Sequence, residues 1–481
     1  MSNDTVIGIV LLARHGDREG FYQDPHTYTA SATAITPLGT EQEFQLGSLL
    51  RSLYLDPSSP TFIQGINNST SLFNQSQVQV RADAGGEGGV IFDSSVALLQ
   101  GLWPPTPLSN TTLANGTTVT SPLGGYQYVP IESVEPNQDV SLEGFTSCPA
   151  LDDKIAAFYN SIEFQEKANE SAAFLSQLPP FLDGRPVTLV NMWNIFDFMN
   201  VQSIHNATFA DRLPPTFLEQ AHDLANFHEN GIFSDQQFDG IGNIAARTML
   251  PSLLTALNRI ANASDPLKLH YSAISYKPFL SFFNMTGVAK LGEVDAGIVN
   301  YAAAVIVEVL QPAAGGEPSL RFKFKNGTDD ASFFTGILQF PGWNNISVET
   351  VPLTTFIEAF EPAAINTTLE WCKICHQTTE RGCAAVLNPS LANAVGESVA
   401  MPESGHHDTI SPVGAGFLGA GLTIAVMLVA FGVLVFLGVL SIGRGRRSGK
   451  KLVPMSKCSS GTASVNVLSL AIAKSYSDSS E

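Results

Sequence analysis

A chain of 481 residues has room for two or three folded units, and its 44% hydrophobic and 9% aromatic content is that of a packed protein, which excludes wholesale disorder and collagen-like repeats. Only 14% of residues are charged, below the roughly 25% of a typical soluble domain, so sugar is expected to help keep the surface wetted. Net charge is −19. From Arg444 onward seven basic residues face only Asp478 and Glu481, which leaves 18 basic and 42 acidic residues ahead of them, an acidic body of −24 that excludes a nucleic-acid binder.

Val6 to Ala13 is an unbroken apolar run of strand length, suited to a strand buried on both faces of a parallel sheet. It has neither the basic start nor the cleavage site of a secretory leader, so it reads as a strand; either a leader lies outside this sequence or a C-terminal span directs insertion. A charged loop, Arg14-His15-Gly16-Asp17-Arg18, follows at once. Thr36 to Glu43 opens a helix with Pro37 in its first turn and Thr40 and Glu43 as a capping box, and Leu46, Leu49, Leu50 and Leu53 line one face. Val78 to Val80 is a second strand, ended by the loop from Arg81 to Gly89. Strand, helix, strand alternation predicts an α/β core whose first part covers 1–130.

From about 104 to 150 Pro, Thr and Asn dominate, and helical periodicity then runs from Asp152 to about Glu229, which predicts a mostly helical cap at 131–235. The core resumes over 236–370 with an amphipathic helix at Ala245 to Ala261, a strand at Leu267 to Ser272, and a hairpin of Val305 to Val309 with Leu320 to Phe324. The expected fold is therefore α/β, a Rossmann-like, mostly parallel sheet with flanking helices and an inserted helical cap, joined to one transmembrane helix.

Residues 371–411 form a cysteine-containing segment and a stalk, 412–442 a transmembrane helix, and 443–481 a basic tail. Phe417 to Leu440 is apolar throughout, and no charge interrupts Thr409 to Gly443, a length sufficient to cross the bilayer as a helix. The basic run after it places the tail in the cytoplasm and the body in a lumen or outside the cell, a single-pass protein of the secretory pathway or cell surface. Asn-x-Ser/Thr acceptors occur from Asn3 to Asn366 and nowhere after the span. Cys148, Cys372, Cys375 and Cys383 precede the span in even number and are expected as two disulfides, with a zinc site of three thiolates and His376 as the alternative; Cys458 is alone in the tail.

The strongest chemical signal is Arg14-His15-Gly16-Asp17-Arg18 at the carboxyl end of the first strand, the edge where open α/β sheets place ligands. Guanidinium forks match phosphate oxygens, a neutral imidazole between them can attack phosphorus, and Gly16 permits close backbone approach to an anion. With the helix from Thr36 to Arg51, Val80-Arg81, the segment Ser94 to Pro104 and Leu267 to Ala273, this motif resembles the histidine acid phosphatases, the branch of the phosphoglycerate-mutase-like superfamily that includes fungal phytases. The resemblance spans about residues 5 to 375, and the chain looks like a fungal-type, membrane-anchored member. It implies two-step phosphomonoester hydrolysis without cofactor or metal. His15 would be the nucleophile, and Arg14, Arg18 and Arg81 would bind the phosphate monoester.

The chain departs from the family at three places. Glu19 and Gly20 follow Arg18, setting an acid beside the expected phosphate. Alignment on Leu102-Trp103-Pro104 puts Val90 where a further phosphate-binding Arg usually starts the second helix. The family's Ser-Ala-His-Asp becomes Ser272-Ala273-Ile274-Ser275, which removes a phosphate contact and the general acid, a role typically worth about 10²- to 10⁴-fold in rate. His407-Asp408 spells the missing pair but has no strand before it and lies within ten residues of the span, so it is a decoy. Glu87, on the loop after the strand carrying Arg81, is the expected substitute acid, since mutase-type relatives take theirs from a glutamate, with water as the other proton donor. The two functional expectations are a phosphomonoesterase and a catalytically impaired phosphate-ester-binding or structural glycoprotein on the same fold. A −24 body disfavours highly anionic substrates such as phytate.

Overall fold

The apolar run at the start of the chain forms β1 (Thr5–Arg14), an inner strand of an eight-stranded sheet, in a computed structural model that describes residues 4–25, 33–67 and 71–388. The other strands are β2 (Val78–Asp83), β3 (Glu132–Val134), β4 (Leu269–Ile274), β5 (Ala304–Gln311), β6 (Ser319–Lys325), β7 (Phe334–Gly336) and β8 (Thr350–Pro352). Their order is β8-β6-β5-β1-β4-β2-β3, with β7 also paired to β6. β1, β4, β2 and β3 are mutually parallel, whereas β5 joins β1 antiparallel and the expected hairpin of β5 and β6 extends that side as an antiparallel wing.

Alternation along β1 feeds two cores. Ile9, Leu11 and Ala13 pack on the side of α1 (Pro37–Tyr54) and α2 (Gly88–Leu102), while Val10 and Leu12 pack on the opposite side. α1 and α2 meet closely because Gly47 and Gly101 lack side chains; a Cβ on Gly47 would lie 2.0 Å from the Leu98 carbonyl oxygen. The opposite side carries α8 (Ile244–Ala261), α9 (Lys277–Thr286) and the cap, built of α3 (Pro149–Tyr159), α4 (Ile162–Leu175), α5 (Met192–His205), α6 (Ala207–Arg212) and α7 (Phe217–Phe233).

Three local expectations are corrected. The cap of α1 is Thr36, whose hydroxyl accepts from the Gly39 N–H at 3.1 Å; Thr40 instead donates to the Pro37 carbonyl, and Glu43 is wholly buried, its carboxyl pushed well up by burial. Pro37 at the first helical position sets the start three residues before Thr40. Secondly, Glu132–Val134 pairs with β2 and belongs to the sheet, so the core runs past residue 130. Three residues, two exposed and one buried, are too short a run to have marked a strand.

Thirdly, the cysteine segment packs on the body as far as it is described. Trp371 is wholly buried and donates Nε1–H to the Gly144 carbonyl at 2.8 Å, and Arg381 donates to the carbonyls of Pro136, Glu143 and Thr146. Disulfides Cys148–Cys375 and Cys372–Cys383 close the segment onto the cap, which replaces the zinc alternative. The remaining stalk, the span at 412–442 and the tail at 443–481 with Cys458 lie outside the described residues. Among the described residues no helix is long and apolar enough to cross a membrane.

Candidate active site

Parallel strands deliver their following loops to one edge of the sheet, and at that edge β1 ends in Arg14 with His15 next. His15 is 1% exposed, and its Nδ1 lies 2.8 Å from the Gly16 carbonyl oxygen. A carbonyl can only accept, so Nδ1 carries the proton and Nε2 keeps its lone pair. Burial lowers the His15 pKa against the pull of Glu87, with Arg14 and Arg18 adding to the depression, which favours the neutral ring. Gly16 donates its N–H to Ser94 Oγ at 3.0 Å. A Cβ on Gly16 would lie 2.4 Å from the Gly39 carbonyl oxygen, so its bareness serves the packing of the loop against α1.

Arg14 points to the cap side. Its Nη1 donates to the Val299 carbonyl, and its guanidinium lies 4.6 Å from the Tyr301 ring centroid and 5.3 Å from that of Tyr276. Tyr276 is fixed in turn by donating its hydroxyl to Glu229 at 2.7 Å. Arg18 pairs through Nε with Glu87 Oε1 at 2.5 Å and through Nη1 with Asp197 Oδ1 at 2.9 Å. Burial alone would lower the Arg18 pKa, but Asp197 and Glu87 hold it well above the ordinary value.

Glu87 is the cap residue of α2, and its second oxygen lies 3.4 Å from His15 Nε2, long for a hydrogen bond. Burial would raise its pKa, but the charge of Arg18, with His15 and Lys277 beside it, holds it well below the carboxylate range. It is therefore an ionised carboxylate, the protonation state of an acceptor. A cavity of about 210 Å³ lies between the sheet edge and the cap, lined by Arg14, Arg18, Asp83, Glu87, Glu143, Asp197, Ser275, Tyr276, Lys277 and Tyr301 among others. Glu87 lines it, 3.4 Å from His15, and His15 is not among the lining residues.

Arg14, His15, Arg18 and Glu87 are thus together, as the sequence predicted, and Arg81 is elsewhere. Arg81 sits two residues before Asp83 on the same face of β2, where it binds Glu132 at 2.8 Å and Asp139 at 2.6 Å and ties down the edge strand. Glu19 is exposed and does not line the cavity. Val90 is wholly buried; the residue of that helix start which reaches the site is Glu87. Ile274 is wholly buried, and Ser275 faces the cavity with an Oγ that has no hydrogen-bond partner. Asp197, Tyr276, Tyr301, Glu143 and Lys277 were not foreseen. Only Tyr276 and Lys277, directly after the altered motif, stood where attention to the sequence could have found them. Among the described residues no group of His, Cys, Asp and Glu is arranged to hold a metal ion.

No family model matches the chain. Lysosomal acid phosphatases of Pongo abelii and Homo sapiens are each 24% identical to it over 383 residues, covering 76% of this chain and 80% of theirs. A phytase from Citrobacter braakii shares the fold, with a TM-score of 0.53 at 13% identity over 75% of this chain and 98% of that one. The chain is thus similar along most of its length to acid phosphatases, shares the fold of a phytase, and carries an arginine-histidine motif at the end of the first strand of that sheet, the likeness expected of a histidine acid phosphatase.

Proposed function

We propose that the chain is a phosphomonoesterase in which His15 Nε2 takes up the phosphoryl group. The observation that carries this is geometric: Nδ1 lies 2.8 Å from the Gly16 carbonyl oxygen, which can only accept, so Nε2 is the nitrogen left to attack, and it lies 3.4 Å from a carboxylate held by Arg18. Glu87 stands where a phosphoryl oxygen would sit. A dianionic ester competes for Arg18 better than a single carboxylate does, so the phosphoryl group displaces Glu87 and is held by Arg14 and Arg18. Nε2 attacks phosphorus, the bond to the leaving oxygen breaks, and a cavity carboxyl supplies that oxygen with a proton. Water then attacks the phosphohistidine and releases phosphate.

Beyond the two arginines the cavity adds one cation, Lys277, against Glu143, Asp197 and Asp329. Those charges suit one phosphoryl group and oppose a second, so simple monoesters are the substrates and polyphosphates are disfavoured. The relatives' lysosomal designation, the disulfides, and the apolar stretch at 412–442 support a glycosylated, membrane-anchored protein with its body on the luminal side. Protease added to sealed microsomes should then trim only the tail.

The activity is tested on the full chain with an aryl phosphate from pH 3 to 8, beside His15→Ala. Turnover should fall by about 10³-fold or more in the variant. A second reading, a phosphate binder without turnover, rests on Ile274 and Ser275; it gains if vanadate raises the melting temperature while no His15-dependent turnover is found.

A further inference from the structure

We infer that Asp83 is the acid that protonates the leaving oxygen, taking the role that the end of β4 has lost; this rests on the phosphomonoesterase reading above. β2 and β4 run parallel with Ala82 opposite Ala273, so Asp83 stands level with Ile274, and on the other side of β4 the register pairs Ile274 with Arg14. Three adjacent strands thus end in a row of Arg14, Ile274 and Asp83. Alternation turns all three to the cap side, since Ala13, Ala273 and Ala82 pack on the side of α1 and α2. Asp83 lines the cavity that Arg14, Arg18 and Ser275 line, and is 3% exposed. Its Oδ1 accepts from the Gly85 N–H at 2.9 Å, which leaves Oδ2 to carry a proton.

The surroundings separate Asp83 from Glu87. Glu87 is ionised against Arg18, whereas Asp83 is faced by Glu143 from the loop before α3, Glu87 from the cap of α2, Lys277 from the start of α9 and Arg381 from the cysteine segment. Burial first, then the Glu143 charge, push Asp83 up to about 7, with the Gly85 N–H and Lys277 pulling the other way. Below about 7 Asp83 is therefore protonated, and burial favours the neutral form of His15, the pairing that nucleophilic attack with leaving-group protonation requires. As the bond from Nε2 to phosphorus forms, the leaving oxygen takes the electron pair of its bond to phosphorus and the proton of Asp83. In the second step the Asp83 carboxylate takes a proton from the attacking water, and the N–P electrons return to His15.

An alkyl ester needs that proton far more than an aryl ester, whose phenolate leaves unaided. In the wild-type full chain the alkyl-to-aryl ratio of kcat/KM, measured with glycerol 2-phosphate and p-nitrophenyl phosphate, should fall as pH rises through about 7. Asp83→Asn should lower alkyl turnover by about 10²-fold or more and aryl turnover by less than about tenfold, and should abolish that pH dependence. Equal losses on both esters, a ratio flat with pH in the wild type, or the selective loss appearing in Glu87→Gln instead would overturn Asp83. Absence of His15-dependent turnover of either ester would overturn the phosphomonoesterase reading itself, and Asp83 with it. The wild-type profile decides the matter even if Asp83→Asn does not fold.

Discussion

The ends of β1 and β4 are neighbours in one sheet, paired residue for residue from Ile9 with Leu269 to Arg14 with Ile274, yet one ends in arginines and a histidine and the other in an isoleucine and a serine. β1 ends in Arg14, His15 and Arg18, none more than 6% exposed, with the imidazole tautomer set by a backbone carbonyl. β4 ends in a wholly buried Ile274 and a Ser275 whose hydroxyl binds nothing. On the proposed mechanism, nucleophile and clamp are thus separable from the proton donor. The clamp must surround phosphorus at fixed angles, whereas a donor needs only to reach one oxygen, and the adjacent strand β2 offers a carboxyl at the same level.

The largest effect expected from this contrast is at β1. Arg14→Ala should lower kcat/KM for an aryl phosphate by about 10²- to 10³-fold, as loss of one preorganised donor to a developing oxyanion does, and should abolish stabilisation by vanadate. Retained vanadate stabilisation in a thermal melt would break the assignment of the clamp. At the end of β4, Ser275→Asp placed in the Asp83→Asn background should recover alkyl-ester turnover by about tenfold or more, since it returns a carboxyl to the same cavity. No recovery there, with aryl turnover intact, would separate the two strand ends more sharply than their register suggests.

Glu87 lies between the two ends. Glu87→Gln removes a charge that occupies Arg18, so vanadate should bind about tenfold more tightly, read from the concentration that half-saturates the thermal shift. Weaker binding would make Glu87 a ligand of the anion instead of its competitor. The smallest effect is expected for Ser275→Ala, under about threefold on either ester, because its Oγ holds no partner to lose.

The same contrast explains what was legible in the sequence. The unbroken run from Val6 to Ala13 could only be a strand buried on both faces, and a strand ending in Arg14-His15 places its chemistry at a known edge. The Ile274-Ser275 pair where the resemblance expects His and Asp was equally plain. What replaces them was not, because it depends on register between strands nearly two hundred residues apart, and no local pattern records that Asp83 stands beside Ile274. Asp197 lies in a cap helix whose periodicity tells which face is apolar and nothing of the arginine it meets. Arg81 misled for the opposite reason: its neighbours in sequence match the family, while Glu132 and Asp139, which bind it, come from an edge strand and loop without any strand signal.

The central claim is that His15 is phosphorylated in the course of turnover. The full chain, mixed with p-nitrophenyl phosphate at pH 5 and quenched within milliseconds under alkaline denaturing conditions that preserve phosphohistidine, should yield by mass spectrometry a peptide carrying one phosphoryl group on His15. Hydrolysis of the ester with His15 unmodified at every quench time, and with turnover persisting in His15→Ala, would contradict it.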